Sequence, residues 1–243
     1  MCFLYRKRIP YKSIGDAMEK IVLSIGGSVL IPGEEDPTYL KQLAELLRSA
    51  APGRCLFVVC GGGRISRYYS ETGRALGGTV EQLDQLGIMI TRVNAALLRI
   101  ALGDAASKDA PDTVEQAAAL AQEGKIVVMG GTVPGHTTDA VAAMLAREIG
   151  ADRLVNATSV DAVYSDDPKV NPAAKRHKEL SIEELGGLVY SQHDAGRSSV
   201  FDPMGVRIAA EEGIDILIVS GRDLEDLEAA ILGKEIKGTT VHS

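Results

Sequence analysis

Three apolar runs in this chain end directly on glycines, and that pattern limits the folds open to it. Ile21-Val22-Leu23-Ser24-Ile25 runs into Gly26-Gly27-Ser28, Cys55 to Cys60 into Gly61-Gly62-Gly63, and Ile126 to Met129 into Gly130-Gly131. Short continuous apolar runs read as strands buried on both faces, which belong to parallel sheets covered by helices. Glycines pack nothing and cost backbone entropy. A cluster of them after a strand therefore marks a turn, a positive φ or a close approach to the backbone. Helical spacing fills the gaps: Leu40, Leu43, Leu46 and Leu47 within 37–49, and Val114, Ala117, Ala118 and Ala121 within 113–123. A longer helix is expected over 82–102, with Leu83, Leu86, Met89, Ile90, Val93, Leu97 and Ile100 as its core face. Strand–helix alternation of this kind predicts an α/β fold, a three-layer αβα sandwich around a mostly parallel sheet. Ligands of such sheets sit at the C-terminal ends of the strands, where the glycines fall.

The same reading continues to the C-terminus. Leu154–Ala157 is a short strand, 181–190 a helix within a polar stretch (171–201) expected to be a mobile loop or lid, and Asp202-Pro203 starts a helix to Glu212. Ile214–Val219 is a strand, Asp223 caps a helix to Leu232, and Thr239-Thr240-Val241 is a last strand. Residues 1–17 are basic, with Arg6, Lys7, Arg8 and Lys12, and lack the apolar core of a signal peptide. They are expected to be a flexible extension of a single domain spanning 18–243.

Composition narrows the function classes. Aromatic residues make up 4% of the chain and Trp is absent, so the core must be aliphatic. A net charge of -7 argues against general nucleic-acid binding and requires any anionic substrate to be held by a local positive site. Cys55 and Cys60 are placed to face opposite sides of one strand, and no Cys-x-x-Cys pair exists, so a disulfide scaffold or zinc site is not expected and a reducing cytoplasm fits best. No continuous apolar run approaches the ~20 residues of a membrane span.

The richest stretch is Val128-Met129-Gly130-Gly131-Thr132-Val133-Pro134-Gly135-His136-Thr137-Thr138-Asp139, a strand, a glycine loop and a helix start. Converging amides, the helix dipole and two hydroxyls make it an anion site, with Thr137, Thr138 and Asp139 as cap chemistry. Arg67, one turn into the helix after Gly63, is placed to fork onto a phosphate. Asp84, on the first turn of the long helix, suits either the helix dipole or ribose hydroxyls. The loop Thr158-Ser159-Val160-Asp161-Ala162-Val163-Tyr164-Ser165-Asp166-Asp167-Pro168 is acidic, with a tyrosine to flank a base. Neither Gly-x-x-x-x-Gly-Lys-Ser/Thr nor Gly-x-Gly-x-x-Gly occurs, which removes the main support for a P-loop or a dinucleotide fold.

Together, Ile25-Gly26-Gly27-Ser28-Val29-Leu30, Gly61-Gly62-Gly63 with Arg67, Gly130 through Asp139, Asp161 to Ser165 with Asp167-Pro168, and Ser198-Ser199-Val200 with Asp202-Pro203 resemble the amino acid kinase superfamily, and within it the archaeal type of UMP kinases. The resemblance runs from Met18 to the C-terminus. It implies an enzyme of pyrimidine nucleotide biosynthesis that moves the γ-phosphoryl group of Mg2+–ATP to UMP, forms homohexamers, is subject to feedback by UTP, and works in the cytoplasm with neither nucleic acid nor membrane as partner. By resemblance, Gly27, Ser28, Gly63 and Arg67 contact the ATP phosphates, and Thr158, Ser159, Tyr164 and Asp167 hold its nucleoside end. Gly62, Asp84, Thr132, Val133, Pro134, Gly135, His136, Thr137 and Thr138 cradle UMP. Asp161 matches the superfamily's organising aspartate, which makes Arg67 and Asp161 the expected catalytic pair. No metal-ligating residue is assigned. One departure stands out: many members carry a lysine where this chain has Ser24, so the charge for phosphoryl transfer must come from Mg2+, Arg67, amides or another cation, with Arg64 and Lys169 as candidates. Two alternatives remain at this point. One is a related kinase for isopentenyl phosphate or a carboxylate. The other is a non-catalytic binder of nucleotides or oxyanions.

Overall fold

The structure is a computed structural model that describes residues 18–33, 36–168, 170–194 and 199–243. The expected extension over 1–17, Lys169 and Ser198 lie outside the described residues. Nine strands occur among them: β1 (Glu19–Ile25), β2 (Arg54–Cys60), β3 (Ile126–Met129), β4 (Arg153–Thr158), β5 (Val163–Tyr164), β6 (Arg176–His177), β7 (Glu179–Ser181), β8 (Ile216–Ser220) and β9 (Thr239–His242). Seven form one sheet in the order β3-β2-β1-β4-β8-β9-β7, and β5 pairs with β6 as a separate hairpin. β3, β2, β1, β4 and β8 are mutually parallel, with Ile21 opposite both Leu56 and Arg153. β9 runs antiparallel to β8 and carries β7 parallel to itself, so the mostly parallel sheet ends in a reversed edge. β5, β6 and β7 were not expected: β5 lies in the segment read as the loop after β4, and β6 and β7 in the polar stretch 171–201, which also contains the helix expected over 181–190.

The helices are α1 (Gly27–Leu30), α2 (Asp36–Ala50), α3 (Gly63–Ala75), α4 (Val80–Leu102), α5 (Val114–Ala119), α6 (Thr138–Ile149), α7 (Ile182–Asp194), α8 (Pro203–Glu212) and α9 (Leu224–Ile231). Strand alternation splits the core in two. Ile21, Leu23, Ile25, Leu56, Val58 and Cys60 pack under α2, α4 and α9. Val22, Cys55, Phe57 and Val59 pack under α5, α6, α7 and α8. The expected αβα sandwich is present, and Cys55 and Cys60 are free thiols on its opposite faces. Burial pushes both thiols above their usual range.

The expected face of α4 is met at Leu83, with Leu86 and Ile90 half-buried, and overturned at its other four positions. Its buried residues are Leu83, Ile88, Thr91, Asn94, Ala95, Leu98 and Leu102, while Met89, Val93, Leu97 and Ile100 are 52%, 55%, 39% and 77% exposed. The helix approaches glycine backbone so closely that small and polar residues take the inner face. Leu83, Ile88, Leu98 and Leu102 fill the rest of that face, and Met89, Val93, Leu97 and Ile100 are left outside. With the turn that follows it, α4 (Val80–Ala105) is long and apolar enough to cross a membrane by length and composition. In the fold it lies on the sheet beside α2 and α3.

Candidate active site

The glycine loops are required first by each other. Gly26 N–H donates to Ala157 O at 2.9 Å and Gly61 N–H to Ile25 O at 2.9 Å, carrying the ladder past the strand ends. Beyond them the two loops cross with no side chain between. A Cβ on Gly27 would collide with Gly63 N and Gly62 C, one on Gly61 would lie 2.6 Å from Gly27 N, and one on Gly63 would strike Gly27 and Ser28. Gly63 also sits at φ +65, a conformation that side chains disfavour. α3 buries no residue of its own in the core, so this crossing fixes where it starts.

α4 clamps the crossing from one side. Buried Asn94 donates from Nδ2 to Gly61 O at 2.7 Å, and Thr91 Oγ1 accepts from Gly131 N at 2.7 Å while donating to Ile88 O at 2.6 Å. A Cβ on Gly130 would lie 2.6 Å from Thr91 Oγ1. Arg92 holds the third loop through Gly131 O at 3.2 Å and Thr132 O at 3.4 Å, and ion-pairs with Asp112 at 2.9 Å.

Most of the residues expected to cradle the acceptor converge. Gly62, Asp84, Val133, Pro134, Gly135, His136, Thr137 and Thr138 line one cleft of about 430 Å³. Thr132 is not among its lining residues and meets Arg92 instead. Asp84 Oδ2 accepts from Gly135 N at 2.8 Å, so this carboxylate anchors the loop tip whatever else it binds. On the donor side, Arg67 Nη2 donates to Ser28 Oγ at 3.2 Å, joining two expected phosphate ligands from the first and second loops. Since Gly62 faces the cleft and Gly63 packs on Gly27 and Ser28, the two groups share one backbone crossing.

A carboxylate read from sequence only as cap chemistry lies at this junction. Ser24, 1% exposed, donates from Oγ to Asp139 Oδ1 at 2.6 Å. Burial pushes the Asp139 carboxyl up to about 6, with the Asp202 charge adding to the rise and the Ser24 bond opposing it. Thr137 Oγ1 caps α6 by accepting from Ala140 N at 3.1 Å and donates to Asp202 Oδ2 at 2.8 Å. Asp202 Oδ1 in turn caps α8 through Met204 N at 2.7 Å. One polar chain thus ties the starts of two helices together. The sequence signal was Ser24 itself, since a hydroxyl in a strand buried on both faces needs a partner.

The expected nucleoside-end residues lie along the segment after β4. Thr158 O accepts from Gly221 N at 2.8 Å, and Asp167 O receives Val170 and Asn171 N–H in a turn. Asp161 is exposed, accepts from the Tyr164 hydroxyl at 3.1 Å and lies 3.4 Å from Arg176 Nη2. Asp161, Arg176, Asp223 and Lys237 line a separate cleft of about 460 Å³. Among the described residues, no hydrogen bond joins Asp161 to the glycine crossing.

Residues 19–220 match the Amino acid kinase family. The chain is 44% identical over 225 residues to the uridylate kinase of Methanoculleus marisnigri, covering 92% of this chain and 96% of that protein. It is 42% identical over 223 residues to the uridylate kinase of Pyrococcus abyssi, covering 91% of this chain and 99% of that one. Among solved structures, the uridylate kinase from Archaeoglobus fulgidus aligns with a TM-score of 0.81 at 38% identity, over 91% of this chain and 99% of that chain. The UMP kinase from Bacillus anthracis, at 22% identity and a TM-score of 0.76 over 92% of this chain and 96% of that one, shares the fold.

Proposed function

This chain belongs to the amino acid kinase family, and on that premise we propose that it is a uridylate kinase, which transfers the γ-phosphoryl group of Mg2+-bound ATP to UMP and forms ADP and UDP in pyrimidine nucleotide biosynthesis. The observation that carries this reading is the acceptor cleft, anchored by Asp84 on Gly135 and bounded by Gly62, whose neighbour Gly63 packs on the donor loop.

In this reading Gly27, Ser28, Gly63 and Arg67 hold the donor phosphates through amides, a hydroxyl and a guanidinium, and Thr158, Ser159, Tyr164 and Asp167 hold its nucleoside end. Gly62, Asp84 and the loop from Thr132 to Thr138 hold UMP. An oxygen of the UMP phosphate is already anionic, so no general base is needed; catalysis rests on positioning and positive charge. Mg2+ supplies neutralising charge on the donor phosphates and, as a hard cation, keeps mainly phosphate and water oxygens as ligands. We assign the organising carboxylate to Asp139 rather than Asp161, because Asp139 is half-buried and bonded to Ser24, two residues before the first glycine loop, whereas Asp161 is exposed.

The exposed stripe Met89, Val93, Leu97 and Ile100 on α4 supports self-association, consistent with a homohexamer. UTP carries the same base and ribose as UMP and would compete for the same cleft. Free Cys55 and Cys60 suit a reducing cytoplasm.

The test is ADP release from Mg2+–ATP with UMP, CMP, dUMP, isopentenyl phosphate and acetylglutamate in parallel. Turnover with UMP far above the others is the expected result. Faster turnover with another acceptor would reassign the substrate, and nucleotide binding without turnover on any of them would overturn the kinase reading.

A further inference from the structure

A donor polyanion brought to the glycine crossing meets two carboxylates, Asp139 and Asp202, and needs positive charge to offset its own. Among the described residues, few cations at this edge are uncommitted. Arg92 is held by Gly131 O, Thr132 O and Asp112, and Arg67 donates to Ser28. Arg64, on the first turn of α3 and three residues before Arg67, is different. Its side chain reaches past the far end of α1 and rests on the backbone of Gly33, where a Cβ would collide with Nη2. Gly33 sits at φ +97, so glycine is demanded there twice, once by conformation and once by the guanidinium. The contact is one of packing: among the described residues, no hydrogen bond or ion pair engages Arg64, which is exposed. Its guanidinium carries five N–H donors, and no acceptor among the described residues takes any of them. Arg64 and Arg67 thus lie on either side of α1, Arg67 bonded to Ser28 and Arg64 without a hydrogen bond or ion pair among the described residues.

We propose that Arg64 is a catalytic residue that supplies its guanidinium to the γ-phosphoryl oxygens of the donor nucleotide during transfer. In that step an oxygen of the acceptor phosphate forms a bond to the γ-phosphorus. The bond from that phosphorus to the β,γ-bridging oxygen breaks, and its electron pair leaves on ADP. No proton is exchanged when the acceptor phosphate is dianionic. Arg64 offsets negative charge on the three equatorial oxygens as they pass between the two nucleotides. The proposal rests on the phosphotransferase reading above.

Arg64→Ala, Arg64→Lys and wild type are compared for UMP-dependent ADP formation, KM for UMP and thermal midpoint. For Arg64→Ala we expect kcat to fall about 100-fold, KM for UMP and the midpoint to stay near wild type, and added guanidinium ion to restore part of kcat. Arg64→Lys should retain more activity than the alanine variant. Arg64→Ala with kcat within about threefold of wild type would overturn the proposal. So would a loss of activity that follows a lowered midpoint and is not rescued by guanidinium, since that would mark Arg64 as an anchor for Gly33. Wild-type protein inactive on every acceptor would remove both this proposal and the reading beneath it, whereas an active wild type with an unaffected variant removes this proposal alone.

Discussion

The Ser24 hydroxyl donates a 2.6 Å hydrogen bond to Asp139 Oδ1 across 115 residues of sequence, joining the end of β1 to the start of α6. Ser24 is the acid's direct partner, and the charge of Asp202 lies close enough to disfavour ionisation. The carboxyl is therefore held in place by one hydroxyl and pays heavily for being charged.

That arrangement sets a pH dependence. The Asp139 carboxyl lies near 6 in the folded protein against an ordinary value of 3.8. Between those values the folded protein holds a proton that the unfolded chain has released, so this group's effect on stability worsens as pH rises from about 4 to 6. Above 6 the buried charge costs on the order of 3 kcal/mol. Asp139→Asn should flatten this slope and raise the thermal midpoint at pH 8, while UMP-dependent turnover is lost. Parallel midpoint-against-pH curves for the two proteins would refute the assignment.

Asp84→Ala should free the tip of the acceptor loop at Gly135. A hydrogen bond to a charged group contributes about 1.5–3 kcal/mol, so KM for UMP should rise roughly 10- to 100-fold with a smaller change in kcat. Steady-state kinetics with UMP varied at saturating Mg2+–ATP decides this, and an unchanged KM would exclude Asp84 from acceptor binding.

Gly27→Ala should be among the most damaging single changes available, because its Cβ would meet the backbone of the second loop rather than a side chain that can turn away. Soluble folded protein should be scarce. Gly187→Ala is the matched control: it lies in α7 with nothing within 4 Å of the added carbon, and should stabilise by roughly 0.5–1 kcal/mol. Expression yield and chemical denaturation give the comparison, and equal tolerance of the two would show that the loops do not interlock.

On the self-association proposed above, Val93→Glu should yield a folded monomer, since Val93 is 55% exposed within the apolar stripe of α4. Sedimentation velocity should show a smaller species with unchanged far-UV circular dichroism. An unaltered sedimentation coefficient would exclude the α4 stripe as a self-association surface.

What the sequence disclosed was local. The glycine loops, the Thr137 cap on α6 and the Asp223 cap on α9 depend on neighbours a few residues away, and each was legible. The face of α4 was not. Periodicity counts large apolar side chains, but where α4 meets the glycine loops its inner face carries Thr91 and Asn94, which bond and pack on Gly61, Gly130 and Gly131. β6 and β7 have two and three residues, too short for any alternation to register. The reversal of β9 follows from where its chain returns, not from its residues. Within the site, Asp84, Gly62 and loop 133–138 were found as a group, whereas the bond that holds Asp139 depends on a strand read far earlier in the chain.

The position of β1 has a consequence for synthesis. It pairs through Ile21 with Leu56 on one edge and with Arg153 on the other. On the ribosome, the first partner emerges soon after β1, but the second must wait for roughly a hundred further residues to be translated. A nascent chain halted before β4 would present an apolar strand with one row of unpaired N–H and C=O groups, a template for pairing with another chain. Truncated products of this protein should therefore be a chaperone's clients rather than stable fragments.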